Sequence, residues 1–218
     1  MSKMAVNAKM AGEKDCSIPS FNRDTFLQYW VDLTLDPDTA NSKLKVSLDK
    51  KGVERVDVPQ NKDGNPKRFL HFPELLCEQG LTGRNYWEIK WEGPQGVGIA
   101  VSYEIIPRDT DGDECRLGRN TYSWSLEDIV VREFMHDNVR NDKITTPICS
   151  FNNRVGVYLD TEAGILQYFS VTPDLEDMTL LYEAPRSEEK FTEALFPGFW
   201  IVNDTKMTLC PKEHYNCA

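Results

Sequence analysis

The sequence predicts an all-β protein, a two-sheet antiparallel β-sandwich of the concanavalin-like jelly-roll kind with one or two short N-terminal helices. Three observations predict it. Apolar and polar residues alternate in many short runs. Gly, Pro, Asp and Asn punctuate the gaps, and almost no segment keeps a helical period. At 218 residues, the chain suits one domain with a sizeable core and no need of covalent staples.

The elements follow in chain order. Residues 1–19 mix polar and small side chains without periodicity and are expected to be a flexible leader. Residues 21–30 read as a short helix lying against the sandwich, with Asp24 as its cap and Phe26, Leu27 and Trp30 on one face. From there the period is two. Strands are expected at 31–35, 44–48, 53–58, 86–91, 97–103, 123–126, 154–159, 165–170, 179–182, 199–202 and 206–209. Asp36-Pro37, Gly93-Pro94, Asp111-Gly112, Pro173-Asp174 and Pro197-Gly198 are turn signals, and 160–164 suits a hairpin connection. No repeat of fixed period is present, which argues against a propeller. Trp87, Trp91 and Trp124 fall on strands and are expected to fill the gap between sheets. Gly98, Gly118 and Gly156 mark positions of close backbone approach.

Composition narrows the function. Asp and Glu number 35 against 25 Lys and Arg, a net charge of −10. Such a chain repels nucleic acid and anionic membranes, and no basic run overrides it. No stretch reaches the ~20 apolar residues of a membrane span, so neither nucleic-acid binding nor membrane insertion is expected. The six cysteines, Cys16, Cys77, Cys115, Cys149, Cys210 and Cys217, are dispersed, without a C-x-x-C pair. With no secretory h-region ahead of them, reduced thiols and a cytoplasmic location are expected.

Motifs that imitate chemistry fail on spacing. Asp109, Asp111 and Asp113 alternate as in a calcium loop, but Glu114 and Asn120 stand where Gly and Glu are needed. The glycines Gly93, Gly96 and Gly98 have the letters of a phosphate loop in the wrong order, followed by a strand rather than a helix N-terminus. His71, His136 and His214 are isolated, and no local nucleophile motif is present. No catalytic residue, metal or cofactor is expected.

Five blocks, in order, carry a resemblance. They are Leu33-Thr34-Leu35-Asp36-Pro37-Asp38-Thr39-Ala40, then Leu81-Thr82-Gly83-Arg84-Asn85-Tyr86-Trp87-Glu88-Ile89, then Leu117-Gly118-Arg119-Asn120 with Ser123-Trp124-Ser125-Leu126. The last two are Val155-Gly156-Val157-Tyr158-Leu159-Asp160 with Ala163-Gly164, and Leu195-Phe196-Pro197-Gly198-Phe199. The pattern resembles the PRY-SPRY domains that end tripartite-motif ubiquitin ligases, fish NOD-like receptors and stonustoxin-type toxins. The resemblance implies a domain over 20–211, with PRY at about 31–80, SPRY at about 81–211 and a tail at 212–218. It also implies a non-catalytic, monomeric module that binds a protein or peptide through its loops, in ubiquitin-ligase substrate recognition or innate immunity. Two alternatives stand beside it: a butyrophilin-type small-ligand sensor, which would need Arg84, Arg108, Arg116 and Arg119 to converge on one cavity, and the C-terminal module of a stonustoxin-like toxin.

The family's contact regions, carried over, point to Gly98, Tyr103, Arg108, Glu127, Ile129, Phe134 and Phe199 as the partner-binding surface. Residues 127–142, which mix Ile129, Val131 and Phe134 with charges, read either as an adaptable loop or as a further strand packed into the core. As apolar anchors, Ile129 and Phe199 are expected to matter more for binding than the rim charge Arg108.

Overall fold

The computed structural model describes residues 20–60, 64–94, 96–128, 132–141, 153–172, 174–185 and 191–213. Along the chain the elements are β1 (Ser20–Asn22), α1 (Asp24–Leu27), β2 (Leu44–Val46), β3 (Gly52–Arg55), β4 (Glu74–Leu76), β5 (Arg84–Glu92) and β6 (Val97–Tyr103). They continue with a 3-10 turn (Asp113–Cys115), β7 (Ser123–Asp128), β8 (Arg132–His136), β9 (Val139–Asn141), β10 (Arg154–Asp160) and β11 (Ile165–Val171). The last are β12 (Asp177–Glu183), β13 (Leu195–Ile201) and β14 (Lys206–Leu209). An eight-stranded sheet has the order β1-β12-β11-β10-β5-β14-β3-β2, and a six-stranded sheet has the order β4-β13-β6-β7-β8-β9. Neighbouring strands pair antiparallel, so the all-β antiparallel sandwich read from the alternation is the architecture found.

Apolar side chains lie in three layers. Between the sheets sit Trp87, Ile89 and Trp91 of β5, Val97, Ile99 and Val101 of β6, and Leu195, Phe199 and Ile201 of β13. Each set is one parity of its strand, as a pleated strand with one face on the core requires. Outside the eight-stranded sheet, Leu27 packs with Phe169, Val171 and Met178, the rings of Phe26 and Trp30 lie on Tyr86, and that of Phe21 meets Phe169. Outside the six-stranded sheet, Leu117 and Ile106 of the β6–β7 loop cover Leu76 and Ala100.

The N-terminal segment therefore lies against the sandwich, as its apolar face requires. Its anchor is Arg23, fully buried, which donates from Nε and Nη2 to both carboxylate oxygens of Glu88. Arg154 and the Tyr86 hydroxyl also donate to Glu88. This buried carboxylate is thereby paired with two cations, which burial of a charge demands.

Several local expectations are corrected. Asp24 is not the helix cap: Arg23 holds that position, and Asn22 Oδ1 accepts from the Asp24 N–H at 2.9 Å. Residues 31–35 form no strand. Their backbone bonds to a different partner at each point, Val31 to Tyr86, Thr34 to Glu78 and Leu35 to Lys50, with isolated bridges at Trp30 and Leu35, so no continuous ladder forms, and Leu33 and Leu35 turn into the core. Strands β1, β4, β8 and β9 are short and carry too few alternations to stand out in sequence.

Candidate functional site

The β6–β7 loop covers the outer face of the six-stranded sheet over Leu76 and Ala100. Trp200 of β13, Gly98 of β6 and Glu127 of β7 sit side by side across three strands, since Trp200 pairs with Gly98 and Gly98 with Glu127. Trp200 is half-buried, and its side chain leans over Gly98. A Cβ at position 98 would stand 3.0 Å from the Trp200 Cβ, so glycine gives the indole its seat. Glu127 is 3% exposed. Burial pushes its carboxyl above the usual range, and the Arg119 charge pulls it back.

The β6–β7 loop delivers the basic side chains. Gly118 adopts φ +82°, and its N–H donates to Ser123 Oγ at 2.7 Å, turning the chain back onto the sheet. The Asn120 amide donates to the carbonyls of Asp113, Glu114 and Arg116, lacing the loop to itself. Gly118-Arg119-Asn120 is thus a structural knot with one outward cation. Arg119 donates to Glu127 at 2.9 Å and lies 3.8 Å from Glu133, which in turn pairs with Arg140. Arg116 spreads over the rings of Phe72 and Trp200, with Cζ 5.0 and 5.4 Å from their centroids. Beneath the loop, Glu74 accepts the Leu117 N–H at 3.1 Å. Burial raises that carboxyl to about 8, so it is protonated at neutral pH.

The structure separates the residues expected to form one surface. Gly98 and Glu127 do meet, on this face. Phe199 is fully buried between the sheets, and Phe134 is 3% exposed and stacked on Tyr182 with centroids 4.5 Å apart. Both are core groups in this arrangement, which corrects their reading as exposed anchors. The physical reason is parity: on β13 Phe199 points inward and its neighbour Trp200 outward, and on β8 Phe134 points inward. Of the two readings of 127–142, the strand packed into the core is the one found for 132–136. Tyr103 also has the inward parity and packs edge-on against Trp124 at the sandwich margin.

Arg108 lies elsewhere, over the Phe69 ring at 4.4 Å, donating to the carbonyls of Lys67, Glu104 and Ile106. There it lines a cleft of about 220 Å³ with Asp36, Lys67, Glu78, Glu104 and Phe196, in which charges of both signs alternate. Ile129 lies outside the described residues. Arg84 pairs with Asp160 on the other sheet, so the four arginines that a basic small-ligand pocket would need do not converge. Among the described residues there is no cluster of three or more His, Cys, Asp or Glu side chains suited to a metal.

Sequence reasoning missed Trp200 and Phe72, and named Arg116 only as part of a basic small-ligand pocket. A signal for Trp200 was present: Leu195, Pro197, Phe199 and Ile201 occupy one parity, leaving Trp200 on the other.

Two family models match the chain: the SPRY-associated domain PRY over residues 33–81 and the SPRY domain over 84–213. Among curated proteins, Cytolytic toxin-beta of Scorpaena plumieri is 37% identical over 149 residues, covering 68% of this chain and 20% of the toxin. The rat (Rattus norvegicus) E3 ubiquitin-protein ligase TRIM11 is 32% identical over 198 residues, covering 89% of this chain and 39% of the ligase. The chain thus spans between a fifth and two fifths of these relatives' lengths. Among solved structures, the stonustoxin structure superposes with TM-score 0.73 at 31% identity, over 87% of this chain and 28% of that one. The crystal structure of the TRIM65 PSpry domain gives TM-score 0.73 at 26% identity, over 87% of this chain and 95% of that one.

Proposed function

This chain belongs to the SPRY family, a SPRY domain with its associated PRY segment, and on that premise we propose that it is a non-catalytic recognition module whose protein partner docks around Trp200. The observation that carries the proposal is the partly exposed Trp200 indole on the outer face of the six-stranded sheet. Buried Gly98 and Glu127 flank it and an arginine lies across its ring. Partly exposed aromatic and arginine groups on a fixed scaffold, with a polar rim, are what interface hot spots are made of. Relatives carry the same module in proteins as different as a cytolytic toxin and a ubiquitin ligase, which supports a binding role separable from either activity.

The buried free thiols of Cys77, Cys115 and Cys210 support a reducing, cytoplasmic setting. The ligase relative supports substrate recognition as the task. No helix among the described residues is long and apolar enough to cross a membrane.

A photo-crosslinking amino acid placed at Trp200 tests the docking face. In extract it should capture a partner that purified parent chain competes away and that Trp200→Ala does not. The same probe at exposed Leu48, beside the edge strand of the other sheet, should not capture that partner. Equal competition by parent and Trp200→Ala would place the docking surface elsewhere.

A further inference from the structure

We propose that the face around Trp200 receives an acidic segment of its partner, with an Asp or Glu carboxylate seated on the Arg116 guanidinium; this deepens the recognition reading above and rests on it. Arg116 differs from most arginines of the fold. Arg23, Arg68, Arg84, Arg108 and Arg119 all donate side-chain hydrogen bonds to the protein itself. The Arg116 guanidinium makes none among the described residues. Its ion pair is with Asp113 at 3.5 Å, a half-exposed side chain three residues away. Such a pair is weak and readily exchanged.

The rings of Phe72 and Trp200 nevertheless hold the group in place, with its side chain 27% exposed and Nη1 facing Asp113. A planar guanidinium with its orientation set in advance is the partner a carboxylate fits bidentately, with little side-chain freedom left to lose.

The charges around Arg116 are of both signs. Glu74, buried beneath the loop, is protonated at neutral pH and adds no negative charge to that of Asp113. Arg119 and Arg140 pair with Glu127 and Glu133, and Arg116 pairs with Asp113, on a loop that also carries exposed Asp111 and Glu114. A partner carboxylate is therefore held by taking over the exposed Asp113 pair at the fixed guanidinium, not by a favourable field of the whole face. The exposed part of the Trp200 ring supplies the apolar platform for the residue beside the carboxylate.

Selection of short random peptides on the immobilised chain tests this, followed by calorimetry of the enriched peptides. Expected are peptides with a fixed Asp or Glu. Neutralising that residue to Asn or Gln should weaken binding about tenfold or more, and so should Arg116→Gln in the chain. The two changes together should cost little more than either alone, because both remove one contact. Unchanged thermal melting of Arg116→Gln confirms that the fold is kept. Peptides that Trp200→Ala loses but that are indifferent to Arg116→Gln would overturn the carboxylate and leave the docking face standing. Peptides indifferent to both substitutions would overturn both, and a selection that enriches nothing would overturn the linear acidic segment.

Discussion

Two neighbouring aromatics on β13 should respond to truncation in opposite ways. Phe199 is wholly enclosed between the sheets, packed in the same cluster as Ile99, Val101 and Leu75. Phe199→Ala removes a ring from a core that cannot collapse fully, at a cost of about 3–5 kcal/mol. For a chain this size the urea slope is about 2–3 kcal/mol per M, so the midpoint should fall by roughly 1–2 M. Trp200 is half-buried, and its contacts are with Gly98 beneath and Arg116 above. Trp200→Ala should lower stability by about 1–2 kcal/mol, a smaller loss because the ring is partly exposed and lies outside the core between the sheets. Its larger effect belongs to binding, about 2–4 kcal/mol for an aromatic anchor. Urea titration followed by circular dichroism, with calorimetry on a partner found by crosslinking, separates the two quantities. If Phe199→Ala leaves the midpoint unchanged, or the two substitutions lower it equally, the inward and outward assignment on this strand is wrong and the docking face falls with it.

Three further outcomes follow from buried groups. Burial raises the folded-state carboxyl of Glu74 to about 8, well above its unfolded value. The protonated form therefore stabilises the fold below about pH 4.5, and that contribution is lost as pH rises to about 8, at up to about 1.4 kcal/mol per pH unit. Urea midpoints of Glu74→Gln should lose this part of the pH slope between 5 and 8; parallel curves for parent and variant would contradict it. Arg23→Ala leaves Glu88 short of one of its cations in a dry site and should cost about 3–5 kcal/mol, read as a fall in melting temperature, whereas a neutral result would remove the N-terminal segment from the stability of the sandwich. Cys77, Cys115 and Cys210 are buried thiols, and burial pushes Cys210 up to about 11. They should be silent to a thiol reagent in the native protein and react in denaturant, where all six cysteines of the chain should titrate as free thiols; two or fewer would indicate disulfides.

Alternation along the chain was enough to read the sandwich, because a strand with one face on a core must repeat every second residue whatever it pairs with. The hairpin of β10 and β11 was legible in full: Asp160 and Gly164 mark its turn, and the ladder runs from Val155↔Ser170 to Asp160↔Ile165. Trp87 and Trp91 were legible as core for the same reason. Segment 31–35 alternates equally well and is no strand, since a period says which side chains turn inward and not whether one neighbour runs alongside for a continuous ladder; here the bonding partner changes from Tyr86 to Glu78 to Lys50.

Parity decided which of Phe199 and Trp200 turns outward, and the sequence contained it; reasoning by block rather than by alternation pointed to the buried residue of the pair. Nothing local tells that Arg116 will lie on Phe72 and Trp200, or that Glu127 will take Arg119 as its partner. Those contacts join the β6–β7 loop, the approach to β4, and β13, segments that meet only once both sheets have closed. The fold class follows from a period that each strand carries on its own, whereas the candidate site is assembled from side chains far apart in sequence, and tertiary packing alone brings them to one face.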